Sequence, residues 1–127
     1  MIHRLRLSTR TSNLLKELQD QTLLTPNVLG RLAVGISLTM EGDPDTSNFH
    51  NNRGLEINRQ TFTGDYDFIY KALIAQHRGR SVTDEEYFPE LFNAHLERGI
   101  SVLQNEYKYA GNTNKFYESI LKFNSEE

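Results

Sequence analysis

Histidines, carboxylates and cations are the residues of this chain that could carry chemistry, and their spacing sorts them. The four histidines stand at positions 3, 50, 77 and 95, in no H-E-x-x-H or helical Glu-x-x-His arrangement, and the chain has no glycine-rich phosphate loop. His50 lies in FHNNRG, a setting akin to a histidine-dependent nuclease loop, although one histidine among asparagines reads more plainly as turn chemistry. His95, in NAHLE, reads as part of a helix surface. The carboxylate pairs Asp65 with Asp67 and Glu85 with Glu86 suit a cation, and suit helix caps more simply. The cations are more ordered. In the opening stretch MIHRLRLS, strand alternation puts His3, Leu5 and Leu7 on one face and Ile2, Arg4, Arg6 and Ser8 on the other, so one side reads as buried and the other as ready for phosphate. Arg10 and Lys16 follow closely, while QHRGR gathers His77, Arg78 and Arg80 at a helix end. Those last three read either as a phosphate-binding loop or as cations complementing the negative end of a helix dipole.

The elements that must position these groups follow from caps and periodicity. STRTSN offers capping groups, and Leu14, Leu15 and Leu18 then repeat at helical spacing to about Gln21. Thr25 as N-cap with Pro26 at the first helical position opens a second helix, with Val28, Leu29, Leu32, Ala33 and Ile36 as its apolar stripe, ending near Met40. Gly30 and Gly35 inside it each cost about 1 kcal/mol relative to Ala, which a close contact would offset. Residues 41–64 read as an exposed loop, GDPDTSNFHNNRG, followed by one short strand or a hairpin arm in LEINRQTFTG, with Leu55 and Ile57 inward. From Asp65 a helix with Tyr66, Phe68, Ile69, Ala72 and Leu73 on its apolar face runs to Gly79. A capping box of Thr83 and Glu86, with acids at 84–86, opens the longest helix, whose start Pro89 shifts or kinks. Its stripe runs through Leu91, Phe92, Leu96, Ile100, Leu103 and Tyr107. AGNTN breaks it before a last helix on Phe116, Tyr117, Ile120, Leu121 and Phe123, and residues 124–127 read as a frayed tail.

The fold class is therefore mainly α with short β-strands: a ribbon-helix-helix-like strand-helix-helix unit over 1–40, then the loop and strand, then about three further helices over 65–123. The lone first strand exposes unpaired backbone, and pairing with its own copy in a symmetric oligomer is the expected remedy. With 127 residues, 37% hydrophobic and 24% charged, the chain suits one domain, and no segment has the run of about 20 apolar residues that spans a bilayer. The N-terminus lacks the apolar core of a secretory signal, and a cytoplasmic location is expected. Zero cysteines remove the thiolates of disulfides, iron–sulfur clusters, persulfide relays and most structural zinc sites. The net charge of −3 is uneven: residues 1–40 carry five cations against two carboxylates. No enzyme motif, cofactor site or metal site is indicated.

The opening MIHRLRLS, the short helix after it, the segment QTLLTPNVLGRLAVGISL and the small cysteine-free chain together resemble the DndE family of DNA phosphorothioate modification, most closely over residues 1–45. The resemblance implies a tetrameric, ribbon-helix-helix-like, non-catalytic protein that binds duplex DNA, nicked duplex in particular. It also implies partners that exchange a non-bridging phosphate oxygen for sulfur: a cysteine desulfurase, a sulfurtransferase-like subunit and an ATPase. An absence of cysteine accords with an accessory role. The resemblance assigns no individual contact residues; the DNA-binding candidates Arg4, Arg6, Arg10, Lys16, Arg78 and Arg80 come from the reading of the residues.

Cations that displace condensed counterions give binding that falls steeply with salt and depends little on sequence, and several copies of one patch would strengthen it. A nick lowers the cost of bending the duplex there. Two other readings remain: a ribbon-helix-helix repressor whose Arg4 and Arg6 touch base edges, and an assembly scaffold whose basic strand meets protein carboxylates. An enzyme would need a metal site formed between subunits.

Overall fold

Ser8, two residues past the first strand, begins the first helix. Its backbone is extended, and its hydroxyl accepts from the Thr11 N–H at 3.0 Å, satisfying a helix donor that would otherwise lack a partner. Thr25 does the same for Val28 at 3.3 Å, with Pro26 at the first helical position. A computed structural model describes residues 2–47 and 52–125. His50 with its neighbours Phe49 and Asn51, the side chain of Phe123 and the last two residues of the tail lie outside what is described.

In chain order the elements are β1 (Arg4–Arg6), α1 (Thr9–Thr22), α2 (Pro26–Leu38), β2 (Glu56–Asn58), α3 (Arg59–Thr63), α4 (Asp67–Arg78), α5 (Phe92–Ala110) and α6 (Thr113–Ser125). A 3-10 turn, Gly64–Tyr66, joins α3 to α4, and a wide turn over Glu86–Leu91 leads into α5. The fold is mainly α with one two-stranded antiparallel sheet. The strand-helix-helix order of the first forty residues is as expected, but β1 pairs with β2 of its own chain, Arg4 facing Asn58, Leu5 facing Ile57 and Arg6 facing Glu56. No second copy is needed to satisfy that edge of the strand.

The core forms where α2 and α5 cross. Leu29, Ala33, Val34, Leu96, Ile100 and Leu103 are buried there, and a Cβ on Gly99 would run into the backbone of Ala33. Gly30 has the close contact expected of it, because a Cβ there would overlap the ring of Phe62; Gly35 has none, since an added Cβ meets nothing within 4 Å. Phe62, Tyr87, Phe88 and Phe92 fill the space beneath, with Phe62 meeting Phe92 edge to face at 5.9 Å.

Several expectations need correction. The segment after Asn58 is helix, since Asn58 Oδ1 accepts from the N–H groups of Gln60 and Thr61 and so caps α3. Leu55 precedes β2 and is exposed, whereas Ile57 is buried. The apolar face drawn for α4 does not enter the core: Tyr66, Phe68, Ile69 and Leu73 are exposed and only Ile74 is fully buried, because amphipathic spacing marks an apolar face without requiring that this chain cover it. The helix opened by Thr83 is interrupted at Phe88, which has extended backbone angles, and α5 proper starts at Phe92. Asn124 and Ser125 continue α6 rather than fraying.

Arg59, directly after β2, ties the ribbon to the helices. Its N–H donates to the His3 carbonyl at 2.7 Å, and its guanidinium donates to both oxygens of Asp67 and both of Asp84. The same group donates to the Ile2 carbonyl and lies 5.1 and 4.9 Å from the ring centres of Tyr87 and Phe88. Only 4% of Arg59 is exposed, so this is a buried charge balanced by two fixed carboxylates. Burial pushes Asp67 up, but bonds from Arg59, Thr63 and Tyr87 outweigh it and hold it below the usual carboxylate range. The Arg59 bonds dominate at Asp84 and lower it too.

Candidate nucleic-acid interface

The ribbon presents Arg4 and Arg6 outward while Leu5 and Leu7 are buried, the alternation read from the sequence. His3 departs from it: it precedes the strand and is exposed. Across the ribbon Glu56 meets both arginines, its oxygens 3.5 Å from Arg4 Nη1 and 3.7 Å from Arg6 Nη2. Arg6 also donates to the Gly54 carbonyl at 2.9 Å.

The strand leading into β2 is held on the N-terminus of α1. Gly54 N–H donates to the Leu7 carbonyl at 2.6 Å, Leu7 N–H to the Leu55 carbonyl at 2.8 Å, and Leu55 N–H to Ser12 Oγ at 2.8 Å. Gly54 is needed for this approach, since a Cβ would come within 2.7 Å of the Leu7 carbonyl oxygen. The loop thereby sets Arg53, exposed and without a hydrogen bond or ion pair among the described residues, beside Arg6 on the same edge. The sequence reading passed over Arg53. Its signal was the RG pair beside a strand that alternates.

The remaining candidates divide. Lys16 is exposed on α1 one turn beyond Ser12, on the side where the Gly54 loop sits. Arg10 turns toward α5, donating to Ser101 Oγ at 3.0 Å. Arg78 and Arg80 are at the far end of α4, which at 12 residues separates them from the Arg59 end by about 18 Å. Arg80 is paired with Glu86 at 2.7 Å, and Arg78 lines a small cavity with Thr46, Glu86 and Glu90. Glu86 also completes the expected capping box with Thr83, each N–H donating to the other's side chain at 3.1 Å. The Arg80 bond, with that cap, lowers the Glu86 carboxyl to about 2. At the start of α4, Asp67 binds Arg59 rather than capping, and Tyr66 supplies no cap.

A histidine pair lies inside the body. His95 is buried rather than on a helix surface, its Nδ1 2.8 Å from Ser37 Oγ, which accepts from Arg98 Nε at 2.8 Å. Burial, with His77 and Arg98 alongside, pushes the His95 pKa down to about 3 and keeps the ring neutral. A serine beside a neutral imidazole is nucleophile–base chemistry in kind, but both are buried, at 0% and 1% exposure, where no substrate reaches. The group serves as a clasp: His77 Nε2 meets the Met40 carbonyl at 2.7 Å, and Arg98 donates to the carbonyls of Ser37 and Gly42. Among the described residues no three His, Asp or Glu side chains group closely enough to hold a metal, and no helix is long and apolar enough to cross a membrane.

The sequence profile of a family described as DNA sulphur modification protein DndE matches residues 4–110. The chain is similar in structure to DndE from Escherichia coli B7A, involved in DNA phosphorothioation modification, with TM-score 0.66 and 25% identity over 81% of this chain and 97% of that one. It shares its fold with a DndE G21/24K mutant involved in DNA phosphorothioation, with TM-score 0.63 and 22% identity over 80% of this chain and 97% of that one. No curated protein matches it by sequence.

Proposed function

The chain belongs to the DndE family of DNA sulphur modification proteins, and from that premise we propose that it is the non-catalytic subunit that holds duplex DNA for phosphorothioation. The observation that carries this is the outward pair Arg4 and Arg6 on a ribbon locked to the body by Arg59, with Arg53 and Lys16 on the flanking loop and helix. Cations on a rigid support, with no base-reading element between them, suit the phosphate backbone more than base edges. Arg10 extends the contact toward α5. Arg78 and Arg80 form a second, weaker one, since carboxylates already attend them.

One protomer offers few cations, so the grip needs several copies, and a tetramer that favours nicked duplex fits this need. The exposed apolar face of α4 and the turn before it, where Phe68 is 70% and Tyr66 62% exposed, supports assembly through that face. The sulfur chemistry then belongs to sulfurtransferase-like and ATPase partners. A repressor fits less well, because β1 pairs within its own chain rather than with a second copy, so the two-fold ribbon that a ribbon-helix-helix repressor lays in the groove is not formed by this strand. Fluorescence anisotropy against intact duplex, nicked duplex and single strands tests the proposal: sequence-tolerant duplex binding, tightest at the nick, is expected, and no binding to any form would leave the scaffold reading in its place.

A further inference from the structure

The two kinds of arginine on this ribbon are held very differently. Arg59 is buried, and its carboxylates lie at 2.7 Å in fixed positions. Arg4 and Arg6 are exposed, and the only carboxylate they meet among the described residues is Glu56, at 3.5 and 3.7 Å. Distances of that length are loose ion pairs, not forked hydrogen bonds, and exposed pairs of this kind contribute little to stability. The β-register is what puts Glu56 there, since Arg6 and Glu56 are direct cross-strand partners and Arg4 lies on the adjacent diagonal.

We propose that Glu56 occupies the place of a DNA phosphate, an intramolecular competitor that must be displaced before Arg4 and Arg6 can grip the backbone. The proposal rests on the DNA-binding reading above and adds a specificity-determining residue to it. One carboxylate shared by two guanidiniums leaves the pair with one net positive charge. The competitor therefore weakens attraction to any single anion, whereas a duplex strand offers consecutive phosphates and supplies both arginines at once. Glu56 thus tunes the patch to hold polyanions reversibly, so that the protein releases DNA rather than coating it.

The test is anisotropy of a labelled duplex with wild-type protein, Glu56→Gln, Arg4→Ala/Arg6→Ala, and the triple variant, all at one low salt concentration, with a urea midpoint confirming that each is folded. Glu56→Gln is expected to bind about 1.4- to fivefold more tightly than wild type, the range that exposed ion pairs span, and the gain is expected to vanish when Arg4 and Arg6 are absent. Wild-type binding with no gain in Glu56→Gln overturns this inference and leaves the DNA-binding reading standing. A gain that persists without the two arginines also overturns it, because the effect would then be one of overall charge. No binding by wild type or Glu56→Gln overturns both.

Discussion

Arg59 and Asp84, 25 residues apart, meet fork to fork, Nη1 to Oδ2 at 3.0 Å and Nη2 to Oδ1 at 2.7 Å. Removing the guanidinium leaves Asp67 and Asp84 facing each other with only the longer Lys71 contact to Asp84, at 3.9 Å, in its place, and unties β1 from the helices. Arg59→Ala is expected to cost about 3–5 kcal/mol in a urea unfolding experiment. A loss below 1 kcal/mol would mean that the ribbon is held by its hydrophobic side chains alone.

The glycines of α2 and α5 make opposite predictions. Gly35 is exposed in mid-helix with open space around it, so Gly35→Ala is expected to stabilise by about 0.5–1 kcal/mol. Gly99 faces the Ala33 backbone, so Gly99→Ala is expected to destabilise by about 1–3 kcal/mol through forced separation of the two helices. Thermal unfolding of both variants reads the contrast, and equal effects would contradict the packing described.

His95 makes stability depend on pH. Its folded pKa, about 3, is below the ordinary 6.5, so the unfolded chain binds a proton first as pH falls. Stability from this group is full above about pH 6.5 and declines toward pH 3, by about 1.4 kcal/mol per unit between. The lowered Asp67 and Asp84 add a further loss below about pH 4, where the unfolded carboxyls begin to protonate. Urea midpoints at pH 7, 6 and 5 are expected to fall for wild type and to flatten in His95→Gln.

Local chemistry was legible and distant pairing was not. Thr25 with Pro26 and Thr83 with Glu86 announced their turns because a cap is written within four residues of chain. The outward arginines were legible for the same reason, since alternation over Arg4, Leu5 and Arg6 needs no partner. A three-residue strand has too few residues to declare its mate, so the strand expected in LEINRQTFTG was legible but its pairing with β1 and the Glu56 contacts were not. Nor could the Arg59 clamp, whose carboxylates are 8 and 25 residues away and read as caps by themselves. The α4 stripe was real but misassigned, because amphipathic spacing marks an apolar face without saying whether this chain or another covers it.

That stripe leads to a prediction about assembly. Phe68→Asp puts a charge at a residue that is 70% exposed, a place that costs a monomer almost nothing. Light scattering is expected to show a smaller species than wild type with an unchanged urea midpoint. An unchanged mass would exclude this face from the assembly.

The two arginine patches should differ in weight. Arg78→Ala/Arg80→Ala removes cations already attended by Glu86 and Glu90, and is expected to weaken duplex binding less than twofold.

The most direct measurement for the central claim is the salt dependence of duplex binding, wild type against Arg4→Ala/Arg6→Ala. If the ribbon holds the phosphate backbone, log K falls linearly with log salt for wild type, and losing two phosphate contacts makes the slope shallower by about 1.8 for each protomer that engages the duplex. Identical slopes, with the same affinity at every salt concentration, would contradict the account and place Arg4 and Arg6 away from the DNA.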